Sequence, residues 1–169
     1  MTIEEAEDLC KMVNNYHPKT KEELINLIKK LIKERGNEAD LNDIDVSQIT
    51  DMRGLFWNSQ FNGDISKWDV SSVKDMSYMF NYSQFDGDIS NWDVSGVKNM
   101  RGMFQGSQFN GDISNWDVRG VESMCYMFCR SKFNGDISKW DVGKVKDMRW
   151  MFEGSQFKGD ISKWAKKPK

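Results

Sequence analysis

Two sets of aspartates recur every 24 residues, and their type and spacing could bind a cation or a basic partner. We call residues that recur at this spacing a column. With steps of 24 residues, one column is Asp45, Asp69, Asp93, Asp117 and Asp141, and the other is Asp64, Asp88, Asp112, Asp136 and Asp160. The preferred interpretation is local: each carboxylate accepts N–H groups of the following turn, or pairs with Lys67 or Lys139. The first column could instead form an acidic stripe that mimics a phosphate backbone. The second, with Asn62, could bind Ca²⁺ between repeats, although one carboxylate per repeat is few for that ion.

Nucleophiles and metal ligands are sparse. His17 is the only histidine, and it lies beside Pro18 with no Ser or Cys fixed near it, so no nucleophile–base pair is predicted. Cys125 and Cys129 are four residues apart, but a zinc site needs more ligands and Cys10 lies near the other end of the chain. No glycine-rich phosphate loop or metalloprotease motif occurs. The sequence therefore predicts no enzyme activity, no catalytic residue, no metal site and no cofactor.

A strict repeat of 24 residues positions these side chains. The segment Phe61-Asn-Gly-Asp-Ile-Ser-Lys-Trp-Asp-Val recurs from Phe85, Phe109 and Phe133, and in part from Phe157. All ten Phe fall in two columns, nine of the eleven Met fall in two more, and five of the seven Trp fall in another. Apolar residues that recur so strictly at one spacing are predicted to build the scaffold of the fold. Because such a period is typical of solenoids, we predict an α/β solenoid, a leucine-rich-repeat-like stack of strand-plus-short-helix coils with an N-terminal helical cap.

Within one repeat, two patterns predict secondary structure. A short inward-facing strand is predicted from Ile65-x-x-Trp68-x-Val70. A short helix or 3₁₀ segment is predicted from Val73-x-x-Met76-x-x-Met79-Phe80, whose apolar residues recur at helical spacing. Asn62-Gly63-Asp64 predicts a tight turn in which glycine is free to adopt a positive φ.

Three segments are predicted along the chain: an N-terminal helical cap at 1–36, a solenoid at 37–164 with about five coils plus a terminal partial coil, and a basic tail at 165–169. In the cap, Thr20-Lys-Glu-Glu23 is a capping box, Gly36 ends the helix, and residues 3–14 predict a shorter helix. The tail offers little to cover the last coil. Met151, Phe157 and Trp164 are therefore predicted to be half-exposed, which makes the C-terminal coil a candidate for self-association.

Columns that change between coils are the candidates for recognising a partner, because constant columns build the scaffold. The predicted concave side is nearly constant, whereas the predicted helix side varies. Outward-facing Tyr, Trp and Arg are favoured at interfaces. The predicted partner-binding residues are Arg53, Trp57, Tyr78, Tyr82, Arg101, Tyr126, Arg130, Arg149 and Trp150. Two alternatives stay open: these aromatics only cover neighbouring coils, or the first aspartate column is the binding face.

Charge and hydropathy narrow the functional class. The 169 residues carry a formal net charge of −2, which gives no bulk attraction for nucleic acid or anionic lipid. No run approaches the roughly eighteen apolar residues of a membrane span, and the acidic N-terminus is unlike a secretory signal. Three cysteines are a sparse, odd set that fits a reducing compartment. We therefore expect a cytoplasmic protein with a protein partner, no membrane and no direct contact with nucleic acid.

The motif W-D-V-S-x-V-x-x-M-x-x-M-F followed by F-N-G-D-I-S resembles the BspA-like leucine-rich-repeat surface proteins of bacteria, including a domain of unknown function abundant in mycoplasmas. The resemblance covers roughly residues 40–164. The helix ending near Gly36, followed by Leu-Asn-Asp-Ile-Asp-Val-Ser, is similar to the start of cytoplasmic-type members. The resemblance implies surface or adhesion roles, protein binding, no catalysis and no defined active site.

These observations predict a small protein-binding solenoid with no chemistry of its own. One alternative is a phage or mobile-element inhibitor of a host defence or nucleic-acid enzyme, which would act through the acidic stripe. Another is an adhesin-type structural unit of the bacterial surface.

Overall fold

Residues 24 apart in sequence lie next to each other throughout the repeats. The structure is a computed structural model that describes residues 1–5 and 15–169. Isolated parallel β-bridges join each repeat to the next at one position, linking Asp51, Asp75, Asn99, Ser123 and Asp147 in turn. We number coils 1 to 5 as residues 37–60, 61–84, 85–108, 109–132 and 133–156, and a partial coil follows at 157–164. Together they are the repeat stack.

The most regular main-chain hydrogen bonds between coils come from one stretch of each coil, which we call the ladder segment. The ladder segments are residues 52–58, 76–82, 100–106, 124–130 and 148–154. Alternate N–H groups of one ladder segment donate to carbonyl groups of the next coil. The Met76 N–H donates to the Asn99 carbonyl at 2.9 Å, and the Tyr78 N–H donates to the Arg101 carbonyl at 2.8 Å. These bonds set the register of the stack.

The ladder segments lie where the sequence predicts a short helix or 3₁₀ segment, and that prediction is wrong. Tyr78 and Tyr82 have φ of 57° and 52°, a left-handed conformation that a right-handed helix excludes. The Met79 N–H donates to the Met76 carbonyl at 3.2 Å, which closes a β-turn. The inward residues recur at helical spacing because consecutive β-turns also return the chain to the same side every three to four residues.

The predicted strand at Ile65–Val70 is also a turn. The Trp68 N–H donates to the Ile65 carbonyl at 3.2 Å, and residues 37–164, all of them described, contain no α-helix and no extended strand. Ile65, Trp68 and Val70 are nevertheless buried. Their predicted inward direction is therefore confirmed, whereas their strand conformation is not.

Three aromatic columns fill the interior of the stack. Ring centroids of successive coils lie 5.6 Å apart for Phe56 and Phe80, and 6.4 Å apart for Trp68 and Trp92. Each tryptophan of the repeated column donates its indole N–H to a carbonyl group of the preceding coil at 2.9–3.1 Å. The one polar atom of each buried indole is thereby satisfied.

Gly63 is required for a reason other than the predicted positive φ. Its φ is not positive, but a Cβ atom there would lie 2.0 Å from the Ala39 carbonyl oxygen and 2.7 Å from the Phe61 ring. Glycine therefore allows the turn to pass close to the preceding coil.

A helix covers the N-terminal end of the stack. It runs over Lys21–Arg35, and the Thr20 side chain accepts the Glu23 N–H at 3.2 Å. Its buried residues, Leu24, Ile28 and Leu31, join the core of the repeat stack. Of the predicted helix at 3–14, residues 3–5 are helical, and the rest, with Cys10, lies outside the described residues. Among the described helices, none has the length and apolar character needed to cross a membrane.

The C-terminal end is more covered than the sequence predicts. Met151 is fully buried and Trp164 is 4% exposed, so their predicted half-exposure is wrong, whereas Phe157 is only partly buried. The tail at 165–169 supplies part of the cover. The Lys166 ammonium donates to the Val145 carbonyl at 2.9 Å, and the Lys167 ammonium donates to the Ser162 carbonyl at 3.1 Å.

Candidate functional site

The nine predicted partner-binding residues all lie in the ladder segments, and we call this surface the aromatic face. It consists of Arg53, Trp57, Tyr78, Tyr82, Arg101, Tyr126, Arg130, Arg149 and Trp150. The exposed fraction is 67% for Trp57, 45% for Tyr82 and 46% for Trp150. Apart from Met1 and Ile3, every large hydrophobic residue that is exposed in the described chain belongs to this face.

A groove of about 720 Å³ runs between coils 1 and 3 of the aromatic face. Its walls include the predicted residues Arg53, Trp57 and Tyr78. The buried Asn81 side chain also lines it and donates to the Gln105 side-chain oxygen at 3.1 Å. The groove therefore combines aromatic walls with fixed amide groups, a combination suited to recognising a polypeptide.

A second groove of about 350 Å³ lies between coils 3 and 5. It is lined by Tyr126, Arg130 and Trp150 of the predicted set, together with Glu153. Gln105 lines both grooves. The two grooves therefore adjoin along the face.

Five residues of the aromatic face occupy backbone positions that favour glycine. Each has a φ of 52–59°, and they are Tyr78, Tyr82, Tyr126, Arg130 and Trp150. The equivalent residues of other coils are Gly54, Gly102, Gly106 and Gly154, with φ of 58–63°, and Asn58 with φ of 52°. A non-glycine residue in this conformation costs on the order of 1 kcal/mol. Large side chains are therefore present where the backbone alone would select glycine.

Two of these side chains also cover the adjacent coil. A Cβ atom added to Gly102 would lie 2.6 Å from the Tyr78 ring, and one added to Gly106 would lie 2.4 Å from the Tyr82 ring. The rings thus lie close to the glycine backbone of coil 3. Covering a neighbouring coil and presenting an exposed ring face are compatible, because Tyr78 and Tyr82 remain 37% and 45% exposed.

The arginines of the face contact either a carboxylate or an aromatic ring. Arg53 makes a bidentate ion pair with Asp51, in which Nε donates to Oδ1 at 3.0 Å and Nη2 donates to Oδ2 at 2.8 Å. The Arg101 guanidinium lies 5.8 Å from the centre of the Tyr126 ring, within the range of a cation–π interaction. Tyr126 in turn stacks on Trp150, with ring centres 5.1 Å apart. These contacts hold Arg53, Arg101 and the Tyr126–Trp150 pair in defined orientations.

The pair of Arg149 and Asp147 supports the outer end of the face. The Arg149 side chain donates to Asp147 at 2.9 Å, and its guanidinium lies 5.9 Å from the Trp150 ring. Hydrogen bonding from Arg149 holds the pKa of Asp147 well below its ordinary value. The carboxylate therefore stays charged at neutral pH.

The first aspartate column makes the local bonds of the preferred interpretation. Each of its five carboxylates accepts the N–H of the residue two positions later at 2.9–3.2 Å. No ion pair with Lys67 or Lys139 forms among the described residues. Bonding from the Arg119 side chain lowers the pKa of Asp117 to about 2. Asp69, Asp93 and Asp141 remain exposed, so the acidic stripe is partly accessible but already bonded within each coil.

The second aspartate column is bonded in the same way. Asp64 accepts the Ser66 N–H at 2.9 Å. Asn62, the other oxygen ligand suggested for Ca²⁺, accepts the Asp86 N–H of the next coil at 2.8 Å. Across residues 1–5 and 15–169, no group of three or more His, Cys, Asp or Glu has a geometry that could hold a metal ion.

The sparse nucleophiles are not assembled into a site. Cys125 and Cys129 are free and buried, and burial raises the pKa of both thiols. His17 Nδ1 lies 3.2 Å from Asp45 Oδ2.

The predicted set does not include five residues of the larger groove: Lys21, Gly54, Ser77, Asn81 and Gln105. Asn81 and Gln105 belong to a variable column, so their variation between coils was a usable signal. No signal in the sequence marked Lys21, because it lies on the cap helix outside the repeat. At the groove, its ammonium group forms an ion pair with Asp51 at 3.7 Å.

One protein-family model matches the chain, over residues 25–131 and again over 83–168; it is described as a Mycoplasma protein of unknown function, DUF285. The two matches together span the repeat stack and most of the cap helix. No curated protein and no solved structure matches the chain.

Proposed function

The chain belongs to the family of Mycoplasma proteins of unknown function, and we propose that it is a non-catalytic module that binds a protein partner through the aromatic face. The rigid repeat stack would present this face as one preformed surface. The predicted cytoplasmic location forms part of the proposal.

The presence of Tyr, Trp and Arg at glycine-favouring positions carries the proposal. Five such residues have φ of 52–59°. Coils 1 and 3 have glycine at Gly54, Gly102 and Gly106, so the fold accepts the unstrained residue. A strained backbone that the fold does not require is a feature of functional positions. Tyr, Trp and Arg are also the residue types that dominate binding energy at protein interfaces.

The chemistry of the two grooves supports a polypeptide partner. Aromatic walls provide apolar contact area, and Asn81 and Gln105 provide amide groups for main-chain hydrogen bonds. Arg130 and Glu153 add one charge of each sign to the smaller groove. A mixed surface of this kind matches a protein better than it matches a polyanion, which would require an excess of unpaired cations.

For the fold class we propose a leucine-rich-repeat-like solenoid, and within the family a chain of the BspA-like type. The 24-residue spacing of the β-bridges and of the stacked rings supports the solenoid. The coils differ from the predicted α/β pattern because they consist of turns.

Affinity capture from a Mycoplasma lysate with three tagged proteins tests the proposed function. They are the wild type, a face variant with Trp57→Ala, Tyr78→Gly, Tyr126→Gly and Trp150→Gly, and a control variant with Asn91→Ala, Asn115→Ala and Lys139→Ala. The control residues are exposed members of a nearly constant column. Glycine is used at 78, 126 and 150 because other coils have glycine there.

We expect a partner that the wild type and the control variant retain and that the folded face variant loses. Equal retention by all three proteins would contradict the proposal. Loss only when Asp69, Asp93 and Asp117 are changed to Asn would move the site to the acidic stripe. Enzymatic turnover abolished by the face variant would contradict the non-catalytic part.

A further inference from the structure

The two grooves of the aromatic face share four positions of the repeat, two coils apart. The pairs, with the larger groove first, are Trp57 with Gln105, Tyr78 with Tyr126, Asn81 with Cys129, and Gln105 with Glu153. Only the second pair keeps the same residue type, so a tyrosine lines both grooves at the same place in the coil. A long ligand that runs along the stack therefore meets a tyrosine twice, at an interval of two coils.

The spacing of the coils is smallest at the ladder segments. Ring centroids of successive coils lie 6.4 Å apart for Trp68 and Trp92. They lie 5.6 Å apart for Phe56 and Phe80, which belong to the ladder segments. At the ladder main chain, hydrogen bonds hold neighbouring coils about 4.8 Å apart. The stack therefore curves with the aromatic face on its concave side, and the prediction that the nearly constant columns form the concave side is wrong.

The interval between the two tyrosines matches one turn of a polyproline II helix. Two coils at the ladder spacing place the main chain of Tyr126 about 9.6 Å from that of Tyr78. A polyproline II helix has three residues per turn and a rise of about 3.1 Å per residue, which gives about 9.3 Å per turn. Residues three apart in such a segment face the same side, so they reach the two tyrosines together.

Other conformations of a bound segment do not suit the two grooves. In an extended strand, residues three apart are separated by about 10 Å but point to opposite sides. In an α-helix, the main-chain carbonyl groups bond within the helix. A polyproline II segment has no internal hydrogen bonds, so its carbonyl groups are free to accept from a binding surface.

The grooves contain side-chain donors that such carbonyl groups can pair. Each tryptophan of the repeated column donates its indole N–H to a carbonyl group, whereas the Trp57 indole N–H has no acceptor within the described part of the chain. The Gln105 side-chain oxygen accepts from Asn81 at 3.1 Å, and the Gln105 amide nitrogen has no acceptor among the described residues. Because proline has a carbonyl acceptor and no N–H, a proline-rich segment complements these donors.

The charges at the grooves favour an uncharged segment. Lys21 and Arg53 both pair with Asp51, at 3.7 Å and 2.8 Å. Arg130 and Glu153 bring one charge of each sign to the smaller groove. Neither groove therefore carries the large excess of one sign that would select a strongly acidic or basic segment.

We propose that the aromatic face binds a proline-rich segment of its protein partner in the polyproline II conformation, with prolines three residues apart packed against Tyr78 and Tyr126. The segment runs along the stack, and its carbonyl groups accept from Trp57 and Gln105. Aromatic-lined grooves suit such segments because the polyproline II helix is preformed and loses little entropy on binding. The inference rests on the proposed function, since it names the chemistry of the partner at the same face.

Two fluorescein-labelled peptides of the same composition test the spacing. The probe is Pro-Ala-Gln-Pro-Ala-Gln-Pro, in which successive prolines are three residues apart. The matched control is Pro-Ala-Pro-Gln-Ala-Gln-Pro, in which no two prolines are three residues apart. We expect fluorescence anisotropy to show that the full-length protein binds the probe at least tenfold more tightly than the control.

Tyrosine variants test whether the two grooves set this preference. Tyr78→Gly and Tyr126→Gly should each abolish it, because a single tyrosine wall cannot sense the interval between prolines. The matched control is Tyr82→Gly, which removes an exposed tyrosine of the same face that lines neither groove. All three positions have a φ of 52–59°, and other coils have glycine there. Tyr82→Gly should keep the preference for the probe.

NMR of the wild-type protein tests the contacts without any substitution. The proline protons of the probe should move upfield when it is bound, because they lie over tyrosine rings. The Trp57 indole N–H resonance should shift as the probe saturates the protein. The control peptide at the same concentration should produce neither change.

Four results would overturn the inference: no binding of the probe, equal binding of the two peptides, a preference that survives in both Tyr78→Gly and Tyr126→Gly, or binding without the two NMR changes. Affinity capture with the face variant separates this failure from that of the proposed function. A partner that the face variant loses, together with no binding of the probe, would overturn the proline-rich segment alone. Equal capture by the wild type and the face variant would overturn the proposed function, whatever the peptides show.

Discussion

Two glycines with the same backbone conformation should tolerate alanine differently, because a tyrosine ring lies on only one of them. Gly54 and Gly106 both have φ of 63°. A Cβ atom at Gly106 would lie 2.4 Å from the Tyr82 ring, whereas one at Gly54 has Trp57 Cβ at 3.9 Å as its nearest neighbour. The pair therefore separates backbone strain from ring contact.

The magnitudes follow from these two contributions. Alanine in the left-handed conformation costs about 1 kcal/mol of unfolding free energy, and this is the whole effect expected for Gly54→Ala. Displacing the Tyr82 ring from its contact costs about 1–2 kcal/mol more. Gly106→Ala should therefore cost about 2–3 kcal/mol in total.

Urea denaturation, followed by far-ultraviolet circular dichroism and by tryptophan fluorescence, measures both costs. The same substitutions are then made in a Tyr82→Gly background, where no ring lies over residue 106. There, Gly106→Ala should cost no more than Gly54→Ala, giving a coupling energy of about 1–2 kcal/mol between residues 82 and 106.

Equal costs for the two alanine variants in the wild-type background would refute the reasoning. So would a coupling energy within experimental error of zero. Either result would mean that the Tyr82 ring does not lie on the backbone of coil 3.

Three other substitutions or treatments have defined outcomes. Trp116→Phe removes the indole donor that lies 3.0 Å from the Ile89 carbonyl, which keeps its bond from the Trp92 N–H, so urea denaturation should show a loss of about 1 kcal/mol; no measurable loss would speak against that bond. Because bonding from Arg119 lowers the pKa of Asp117 from 3.8 to about 2, this carboxylate stabilises the fold above pH 4 and loses that effect as the pH falls toward 2. Asp117→Asn should flatten the acid side of a Tm–pH profile, and an unchanged profile would contradict the assignment. The buried Cys125, whose pKa is raised by burial, should resist iodoacetamide in the native protein and react in urea, as read by peptide mass spectrometry; complete labelling of the native protein would contradict its burial.

The period of the sequence predicts which residues are neighbours and which lie inside. Ring contacts such as Phe56 with Phe80 follow directly from the 24-residue repeat, because any stacking of identical coils brings identical residues together. The cap helix was predictable for a different reason, since Thr20 and Gly36 are local end signals that act within a few residues.

The conformation of the coil itself was not predictable from spacing. Inward residues such as Met76 and Met79 recur at intervals that both a helix and a series of β-turns satisfy. The hydrogen bonds between coils decide in favour of turns, because an alternating row of N–H groups that points to the next coil cannot also bond within a helix. Only the alternation of glycine with tyrosine at 78 and 102 carried a hint of left-handed backbone.

The candidate site was partly predictable. Variation between coils identified Trp57 and Tyr78, which line the larger groove. Lys21 reaches the same groove from outside the repeat, and no comparison of coils could reveal it.

The dissociation constant of the captured partner for the wild type and for Tyr78→Gly, measured beside the unfolding free energies of both proteins, tests the central claim most directly. We predict affinity at least tenfold weaker for Tyr78→Gly, with stability changed by less than about 1 kcal/mol, since glycine relieves the strained φ while the ring contact with Gly102 is lost. An unchanged dissociation constant would contradict the claim that the aromatic face binds the partner.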